Sequence, residues 1–470
     1  MHTPQSTQEL RSDYLKIVEK HADLDSVGRR IASEYMCNSE AVYKGEVADF
    51  LYVPKLYTPR EIKRFQEIAR TTYGILEKVT AAYVADPEYR KFYDFSPELE
   101  KLILHDPRYA VTIPMIRMDI FFDEDSGDFK FCEFNTDGSS AMCEDREASA
   151  ALQLTPSFSD FKFELARQDR HIEPFELFES WVNAFLEVYS QTQRAKTRPQ
   201  PTVAITDFMD ISTPVEIERF AKHFAARGLT VEVCDVRELR TDRHAEGGPV
   251  LLTPKGTVVD AVYRRAVTCD IMKHYDQVQD FIEAYLADAF VLVGSFRTQL
   301  PHTKLSFEVL HRPETLALLS AEEQDFVRAH VPYTVRLSPD VPELADIVAR
   351  KDSWIIKPLD SYGSKGVWSG REFAQADWEG LIADASADGD HIAQHYIDQY
   401  EAANLECGFD LPAHEKPIER DELPAVKSYR DLTGLFVYNG EFQGFLARAG
   451  RQDRICAAAA GKCLGTFKVY

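Results

Sequence analysis

The pattern of apolar and polar positions divides the chain into segments with different periodicities. Residues 1 to about 110 follow a helical spacing, with a clear helix start at Thr58-Pro59-Arg60-Glu61. There a threonine three residues before a glutamate forms a capping box, and proline takes the first helical position. We expect this helix to run to about Val84 and the first 110 residues to form a helical N-terminal region.

Strand-like runs follow from residue 111 to about 145. TIPMIRMDIFF and FKFCEFN are separated by the turn-rich stretch DEDSGD, a pattern that predicts a β-hairpin. Helical patterning returns from about 158 to 190. The polar stretch QTQRAKTRPQP comes next, and its charges and closing prolines predict a linker.

Strands and helices alternate after this linker. TVAIT predicts a strand, Thr213-Pro214-Val215-Glu216 a capped helix and TVEVC a second strand, with Gly228 placed to end the helix. DAVYRR and FVLVG add strands, so we expect a small open α/β domain over about 200–300. Further strand-like runs are SWIIK, HIAQHYI and GLFVYNGEFQGFLAR. The expected domains are a helical region (1–110), a hairpin-bearing part (111–195), the α/β domain (196–300) and an α+β lobe (301–470).

Composition narrows the range of partners. The chain has 470 residues with 44% hydrophobic content, enough for a large core in two or three lobes. Its 77 acidic residues outnumber 54 Lys and Arg, and the net charge of −23 argues against nucleic-acid and membrane partners. No apolar run approaches about 18 residues and no signal-like segment opens the sequence, so we expect a cytoplasmic protein. Eight cysteines without a C-x-x-C pair argue against zinc sites and disulfides.

Four polar residues of the hairpin carry the strongest chemical signal. Period-2 geometry places Arg117 and Asp119 on one face of the first strand. It likewise places Glu133 and Asn135 together on the second strand. A turn centred on Ser126 sets Asp119 opposite Glu133, and the same register sets Arg117 opposite Asn135. Facing carboxylates call for a cation, and a donor set of oxygens alone selects a hard ion such as Mg²⁺.

A solvated hairpin face with a surface ion pair is the alternative for these four residues, and spacing alone does not exclude it. The neighbouring residues are apolar on both faces of the strand: Ile113, Met115, Ile116, Met118, Ile120 and Phe122. Polar groups within a covered strand need a partner or a ligand, which favours the metal-binding interpretation.

Two lysines are candidates for binding a phosphate. Lys357 leaves the run SWIIK just ahead of the loop 361–366, whose glycines and backbone N–H groups suit an anion. Lys304 follows the strand FVLVG within His302-Thr303-Lys304. Each also fits a plainer interpretation, the loop as a solvated turn and Lys304 as the start of an exposed helix.

Together these elements resemble a known family. Arg-x-Asp, then Glu-x-Asn-Thr, a lysine ahead of a helix, and Lys-Pro with a Gly-rich loop are similar to the ATP-grasp ligases in circularly permuted order. That order resembles the glutathionylspermidine synthetase family and, more distantly, eukaryotic glutathione synthetase, over about 111–460. The resemblance implies a mixed α+β and α/β, glutathione synthetase-like ATP-grasp fold with an inserted open α/β pre-ATP-grasp domain. The amidase domain attached to that synthetase has no counterpart in this sequence.

The resemblance also implies roles for individual residues. Asp119, Glu133 and Asn135 would bind Mg²⁺, and Arg117 and Arg448 would act on the transferring phosphoryl group. ATP would be held by Lys304, Lys357, Gly363, Ser364, Lys365, Gly366 and Gln394. The substrate region would include Ser139, Ser140 and Arg264, with Arg265 beside it. The family has a basic loop residue where this chain has Tyr362, which departs from the pattern.

The implied reaction is an ATP- and Mg²⁺-dependent joining of a small-molecule or peptide carboxylate to an amine through an acyl-phosphate. A nucleotide-binding scaffold without turnover and a kinase-like phosphotransferase are the alternatives. The full set of carboxylates and lysines disfavours the scaffold.

Overall fold

The computed structural model describes residues 6–43, 45–244, 247–407, 424–455 and 461–470. The helices are α1 (Thr7–Lys20), α2 (Ala22–Cys37), α3 (Pro59–Ala85), α4 (Pro87–Arg90), α5 (Pro97–Leu104), α6 (Met142–Gln153), α7 (Pro156–Ala166), α8 (Phe178–Ser190), α9 (Gln193–Thr197), α10 (Pro214–Ala226), α11 (Thr268–Lys273), α12 (Gln279–Leu286), α13 (Gln299–His302), α14 (Ser306–His311), α15 (Pro313–Leu316), α16 (Ala321–His330), α17 (Leu344–Ala349) and α18 (Gln375–Asp388). None of the helices in these ranges is long and apolar enough to cross a membrane.

The strands are β1 (Val42–Tyr43), β2 (Glu46–Val47), β3 (Lys55–Tyr57), β4 (Met115–Phe122), β5 (Phe129–Asn135), β6 (Ile172–Pro174), β7 (Val203–Asp207), β8 (Val231–Asp235), β9 (Arg240–Asp242), β10 (Val250–Leu252), β11 (Ala261–Arg264), β12 (Val291–Val293), β13 (Thr334–Arg336), β14 (Trp354–Pro358), β15 (Trp368–Ser369), β16 (His391–His395), β17 (Glu401–Asn404), β18 (Lys427–Tyr438), β19 (Glu441–Gly450), β20 (Lys462–Leu464) and β21 (Thr466–Val469). The seven cysteines within the described ranges are free thiols, and Cys456 lies outside those ranges.

A six-stranded antiparallel sheet, the central sheet, has the order β20-β19-β18-β4-β5, with β17 also paired to β18. The register predicted for the hairpin is confirmed, because Arg117 pairs with Asn135 and Asp119 pairs with Glu133. A bulge beyond Asp119 then shifts the pairing so that Ile120 faces Phe131. The extra residue is Cys132, and bulges of this kind re-aim a strand next to a site.

Helix α3 covers the central sheet and begins as predicted. The Glu61 carboxylate accepts a hydrogen bond from the backbone N–H of Thr58 at 3.0 Å. The helix ends at Ala85, one residue beyond the predicted end. Its Phe65 packs on the sheet with ring centroids 4.6 Å from Phe122 and 4.9 Å from Phe445. Such aromatic contacts add to the burial of apolar area that holds a helix on a sheet.

The N-terminal region contains three short strands that helical periodicity did not predict. Strand β3 pairs in parallel with β21, and β21 pairs on its other side with β6. The Lys55 ammonium on β3 contacts Glu124, in the hairpin turn, at 2.6 Å and also binds Asp431 on β18. Arg11 completes this buried charge cluster with a 2.5 Å contact to Glu124. The N-terminal region is therefore joined to the central sheet by both pairing and charge.

A parallel four-stranded sheet, with the order β12-β11-β7-β8, occupies the segment predicted to be an open α/β domain. The ring of Tyr263 on β11 packs against Trp181 of α8 and Phe220 of α10. The predicted linker contains the short helix α9, because the Thr192 hydroxyl caps it by accepting from the N–H of Ala195. The predicted helical stretch before the linker is two helices, α7 and α8, separated by β6.

A second four-stranded sheet, the small antiparallel sheet, has the order β13-β16-β14-β15. Trp354 of β14 and Trp378 of α18 fill the core beneath it. The Trp378 indole N–H donates to the Ile347 carbonyl at 2.9 Å, so its buried polar atom is paired. This sheet carries Lys357 at the end of β14.

A buried carboxyl on α6 makes the stability of the fold depend on pH. Asp145 is 1% exposed, and its carboxyl accepts a 2.7 Å hydrogen bond from the Thr466 hydroxyl. Burial raises the pKa of Asp145 from 3.8 to about 8. Between these two values the folded chain keeps a proton that the unfolded chain releases. Stability therefore falls as the pH rises through this window.

The Asp145→Asn variant is expected to lose less stability than the wild-type protein between about pH 4 and pH 8, because asparagine does not titrate. The difference between the two free energies of unfolding should grow by at most about 1.4 kcal/mol per pH unit. Urea unfolding at several pH values measures it. A constant difference at every pH would show that Asp145 does not titrate in this window.

Candidate functional site

A cavity lies where the central sheet, the parallel sheet and the small antiparallel sheet approach one another. The hairpin contributes four polar residues to its wall: Arg117, Asp119, Glu133 and Asn135. Further charged or polar lining residues include Asp137, Ser139, Ser140, Asp207, Arg265, Asp270, His302, Lys304, Lys357, Gln394, Arg448, Asp453 and Arg454. Residues that are far apart in the sequence therefore share one cavity of strongly mixed charge.

The hairpin residues form a tight cluster on one face of the sheet. The Arg117 guanidinium donates two hydrogen bonds to Asp119, at 2.7 and 2.9 Å. The Asn135 amide nitrogen lies 3.1 Å from an Asp119 oxygen and 3.2 Å from a Glu133 oxygen. Rotating the Asn135 amide by half a turn would place its oxygen, in place of its nitrogen, between the two carboxylates.

Gly434 makes room for this cluster from the neighbouring strand β18. It pairs with Asp119 in the sheet. A Cβ atom at this position would lie 2.7 Å from an Asp119 carboxylate oxygen and 2.9 Å from the Arg117 side chain. Any larger residue would displace the ion pair, so the glycine is a requirement of the site. Only the pairing of β18 with β4 reveals this, and the local sequence around residue 434 does not.

The two lysines predicted to bind phosphate both approach the hairpin. The Lys357 ammonium donates to the Gln394 side-chain oxygen at 2.8 Å and to the Cys132 carbonyl at 3.1 Å. The bulge in β5 thus supplies one of its acceptors. The Lys304 ammonium donates to the Ser361 carbonyl at 2.8 Å and lies 3.7 Å from a Glu133 oxygen.

Electrostatics differ at the two facing carboxylates. Burial alone would raise the pKa of Glu133, but the cations of Lys304, Lys357 and Arg117 outweigh it and hold the pKa at about 2. At Asp119 burial is the larger effect and raises the pKa, although Arg117 opposes it. A second positive charge beside Asp119 would therefore favour its ionised form.

The side-chain oxygens of the hairpin cluster fit a hard cation. Within the described ranges, no group of three or more His, Cys, Asp and Glu side chains is placed to hold a metal ion. The hairpin instead offers two carboxylates and one amide, a set of oxygen donors that suits Mg²⁺ shared with a phosphate ligand. Asp119, Glu133 and Asn135 are the residues that would hold such an ion.

Arg448 reaches the cavity from β19 and is held by a residue that the sequence analysis missed. Its guanidinium makes three contacts of 2.7 to 3.1 Å with the carboxylate of Glu144 on α6. Arg448 also interacts electrostatically with Asp119, which places it near the hairpin cluster. The stretch CEDRE carries several acidic residues, and its sequence does not indicate which of them faces the arginine.

Only part of the Gly-rich loop lines the cavity. Gly363 and Ser364 line the cavity, whereas Lys365 and Gly366 are not among its lining residues. The Lys365 ammonium instead lies 5.2 Å from the ring centroid of Tyr362, a cation–π contact. Tyr362 donates a 3.0 Å hydrogen bond to Asp270, which links the loop to α11. Tyr362, which departs from the pattern that the resemblance implies, thus connects two parts of the cavity wall.

The two serines predicted to lie in a substrate region contact arginines through their backbone carbonyls. The Ser140 carbonyl accepts from Arg117 at 2.9 Å, and the Ser139 carbonyl accepts from Arg265. Arg265 also pairs with Glu216 at 2.9 Å and lines the cavity. Arg264 is buried, is paired with Asp137 at 2.5 Å, and is not among the lining residues. Arg265 therefore lines the cavity, whereas its neighbour Arg264, the arginine predicted from the sequence, does not.

Another part of the cavity wall is apolar and was not predicted residue by residue. It is lined by Phe131, Ile355, Val367, Tyr396, Ile397, Leu432 and Ile455. Gln394 lies beside this part, on β16, and its amide nitrogen donates to the Thr334 hydroxyl at 3.0 Å. A flat aromatic group such as a purine suits a wall of this kind, which mixes apolar side chains with a few fixed polar atoms.

Comparison with known proteins bears on the fold. No protein-family model matches the sequence, and a search of curated proteins gives no match. Among solved structures, D-cycloserine synthetase DcsG aligns with 57% of this chain and 91% of its own, at 15% identity and a TM-score of 0.26. A glutathione synthetase-like effector from Globodera pallida, in its apo form, aligns over 98% of both chains at 12% identity and a TM-score of 0.58. The chain therefore has a mixed α/β fold similar to that of a glutathione synthetase-like protein.

Proposed function

We propose that this protein is an ATP- and Mg²⁺-dependent carboxylate–amine ligase of the circularly permuted ATP-grasp type, with an activity like that of glutathionylspermidine synthase. The supporting observation is the convergence of Arg117, Arg448, Lys304 and Lys357 on the hairpin carboxylates within one cavity. The fold similarity to a glutathione synthetase-like protein supports the same class of reaction. A nucleotide-binding scaffold has no need for this many charges around a single point.

In this proposal the domains have distinct tasks. The hairpin part (111–195) carries the Mg²⁺ ligands, and the α/β domain (196–300) serves as the inserted pre-ATP-grasp domain that presents substrate groups through Arg265. The lobe at 301–470 holds ATP between its apolar wall and its lysines. The helical N-terminal region (1–110) supports the central sheet through β3 and the Lys55 cluster.

ATP would lie with adenine against Ile355, Tyr396 and Leu432 and with its phosphates toward the hairpin. Lys357 and Lys304 would hold phosphate oxygens, and the N–H groups of Gly363 and Ser364 would cover them. When bound, Mg²⁺ would neutralise charge that develops on the phosphate oxygens during transfer. Arg117 and Arg448 are held in place by carboxylates, and this fixed orientation suits stabilisation of a transferring phosphoryl group.

The chemistry would then have two stages. The cavity cations position a substrate carboxylate for in-line attack on the γ-phosphoryl group, which leaves an acyl-phosphate and ADP. An amine displaces the phosphate and forms the amide. The protein's contribution is orientation and charge neutralisation, with the substrate carboxylate placed near Ser139, Ser140 and Arg265.

Hydroxylamine trapping tests the reaction type. The purified protein with ATP and Mg²⁺ is expected to convert an acid into its hydroxamate, because hydroxylamine attacks an acyl-phosphate without a natural amine substrate. Glycine, glutamate, γ-glutamylcysteine and glutathione are suitable acids to screen. A Lys357→Met variant prepared in parallel controls for contaminating ligases, since it lacks one of the two lysines proposed to hold ATP.

The outcomes separate the candidate functions. ATP-dependent hydroxamate formation supports the ligase. Release of ADP with an acid that gives no hydroxamate would instead indicate the kinase-like phosphotransferase. The absence of ADP release with every acid, together with retained ATP binding, would favour the scaffold.

A further inference from the structure

Gln394 lies in a buried chain of hydrogen bonds that ends at Lys357. The glutamine is 3% exposed, and its side-chain oxygen accepts from the Lys357 ammonium at 2.8 Å. Its amide nitrogen donates to the Thr334 hydroxyl at 3.0 Å, and that hydroxyl donates to the Pro332 carbonyl at 2.9 Å. Both polar atoms of the amide are therefore bonded within the protein.

This chain permits one orientation of the amide. A backbone carbonyl only accepts hydrogen bonds, so the single hydroxyl hydrogen of Thr334 is committed to Pro332. The hydroxyl oxygen is left to accept from the amide nitrogen of Gln394. An ammonium only donates, so the amide oxygen must face Lys357. The two ends of the chain require the same orientation, and the glutamine is fixed before any ligand enters.

Lys357 is held by neutral acceptors. Besides the glutamine, its ammonium donates to the Cys132 carbonyl at 3.1 Å, and within the described ranges it forms no ion pair with a carboxylate. The other cations near the hairpin differ, because Arg117 and Arg448 are each bonded to a carboxylate and Lys304 lies 3.7 Å from one. Lys357 therefore keeps its positive charge for an anion, and two of its three N–H groups are already directed.

We propose that Gln394 is the positioning residue of Lys357. Its neutral oxygen orients the ammonium for a polyphosphate without cancelling the charge, and its side chain takes no part in reading the nucleotide base. This inference rests on the proposed function, in which Lys357 holds a phosphate oxygen of ATP. It changes the role that the resemblance implies for Gln394, from a residue that holds ATP directly to one that acts through the lysine.

The choice of glutamine has a physical reason. A carboxylate in its place would accept the same hydrogen bond but would pair with the ammonium, and a neutral pair attracts a phosphate less than a free cation does. An apolar side chain of similar size would leave the ammonium with the Cys132 carbonyl as its acceptor. The lysine would then have to be ordered when the ligand binds, which lowers affinity. The two kinds of substitution therefore test charge and orientation separately.

A Gln394→Glu variant tests the charge. Calorimetric titration of the full-length protein with ATP in the presence of Mg²⁺ should show an affinity about 10- to 100-fold lower than that of the wild-type protein. Inosine triphosphate, which differs from ATP in the base alone, should lose affinity by the same factor. The ratio of the two affinities should therefore stay within about threefold of the wild-type ratio. A residue that reads the base would change this ratio, because a carboxylate cannot donate a hydrogen bond as an amide does.

A Gln394→Met variant tests the orientation and keeps the inference testable if Gln394→Glu does not fold. It should lower the affinity for ATP about 2- to 10-fold, the effect of one lost hydrogen bond. Combined with Lys357→Met, it should bind ATP no more weakly than Lys357→Met alone, because the glutamine acts through the lysine. A general disturbance of the fold would instead add to the effect of Lys357→Met. Gln443→Glu, a half-buried change outside the cavity lining, is the matched control and should bind ATP as the wild-type protein does.

The outcomes separate this inference from the proposed function. If the wild-type protein binds neither ATP nor inosine triphosphate, both fail, because Lys357 then has no phosphate to hold. If the wild-type protein binds ATP and Gln394→Glu binds it equally well, the inference alone is overturned. A changed ratio of the two affinities would return Gln394 to the base, and additive losses in the double variant would assign it a structural role.

Discussion

Replacing Glu133 with glutamine is expected to lower turnover on the order of 10²- to 10³-fold while ATP continues to bind. Glu133 is the carboxylate whose pKa the neighbouring lysines hold at about 2, so it is ionised at every physiological pH. Glutamine keeps the shape and the contact with Asn135 but removes the negative charge. Lys304 and Lys357 would then keep their full attraction for phosphate, while the proposed cation site would lose one of its two carboxylates.

Turnover and binding should therefore respond differently to Glu133→Gln. We expect the melting temperature to rise on adding ATP in both proteins, and the further rise on adding Mg²⁺ to be mostly lost in the variant. Glu441→Gln, an exposed change at the start of β19, is the control that should leave both measurements unchanged. An unaltered Mg²⁺-dependent shift in Glu133→Gln would remove Glu133 from the proposed metal ligands.

Replacing Lys55 with methionine is expected to lower the free energy of unfolding by about 3–5 kcal/mol. The Lys55 ammonium, 4% exposed as a residue, binds Glu124 and Asp431 together. With Arg11 the cluster contains two cations and two carboxylates, so its charge is balanced. Methionine fills similar space but leaves two buried carboxylates with one cation between them.

Urea unfolding measures this loss of stability, and two further variants show its cause. Lys16→Met removes a lysine from an exposed ion pair with Asp13, and its effect should stay below about 1 kcal/mol. Adding Asp431→Asn to Lys55→Met should restore part of the stability, because it removes the carboxylate left without a partner. If the double variant is no more stable than Lys55→Met, uncompensated charge is not the cause of the loss.

The hairpin was the part of the site that could be read from the sequence. Its two strands are close in the chain and alternate with period 2, so the positions of Asp119 and Glu133 determine their pairing once the turn is located. The lysines could be associated with the site only through a resemblance. The acceptors of Lys357, the Cys132 carbonyl and Gln394, come from strands that no local pattern brings together.

The features that were missed depend on long-range pairing. Glu144 as the partner of Arg448 depends on the packing of helix α6 against β19. Gly434 beside Asp119 follows from the pairing of β18 with β4. Strand β3 was missed because three residues are too few to display a period, and its parallel partner β21 lies at the other end of the sequence.

The position of β18 in the central sheet has a consequence for how the protein is made in a cell. Strand β4 is paired on one side by β5 but on the other by β18, residues 427–438. A ribosome-bound chain that has not yet reached residue 427 must hold the β4 edge open, with its backbone N–H and C=O groups and apolar side chains available to other nascent chains. Protection of this edge during synthesis, by chaperones or by slow elongation, would then lower the risk of aggregation before the fold is complete.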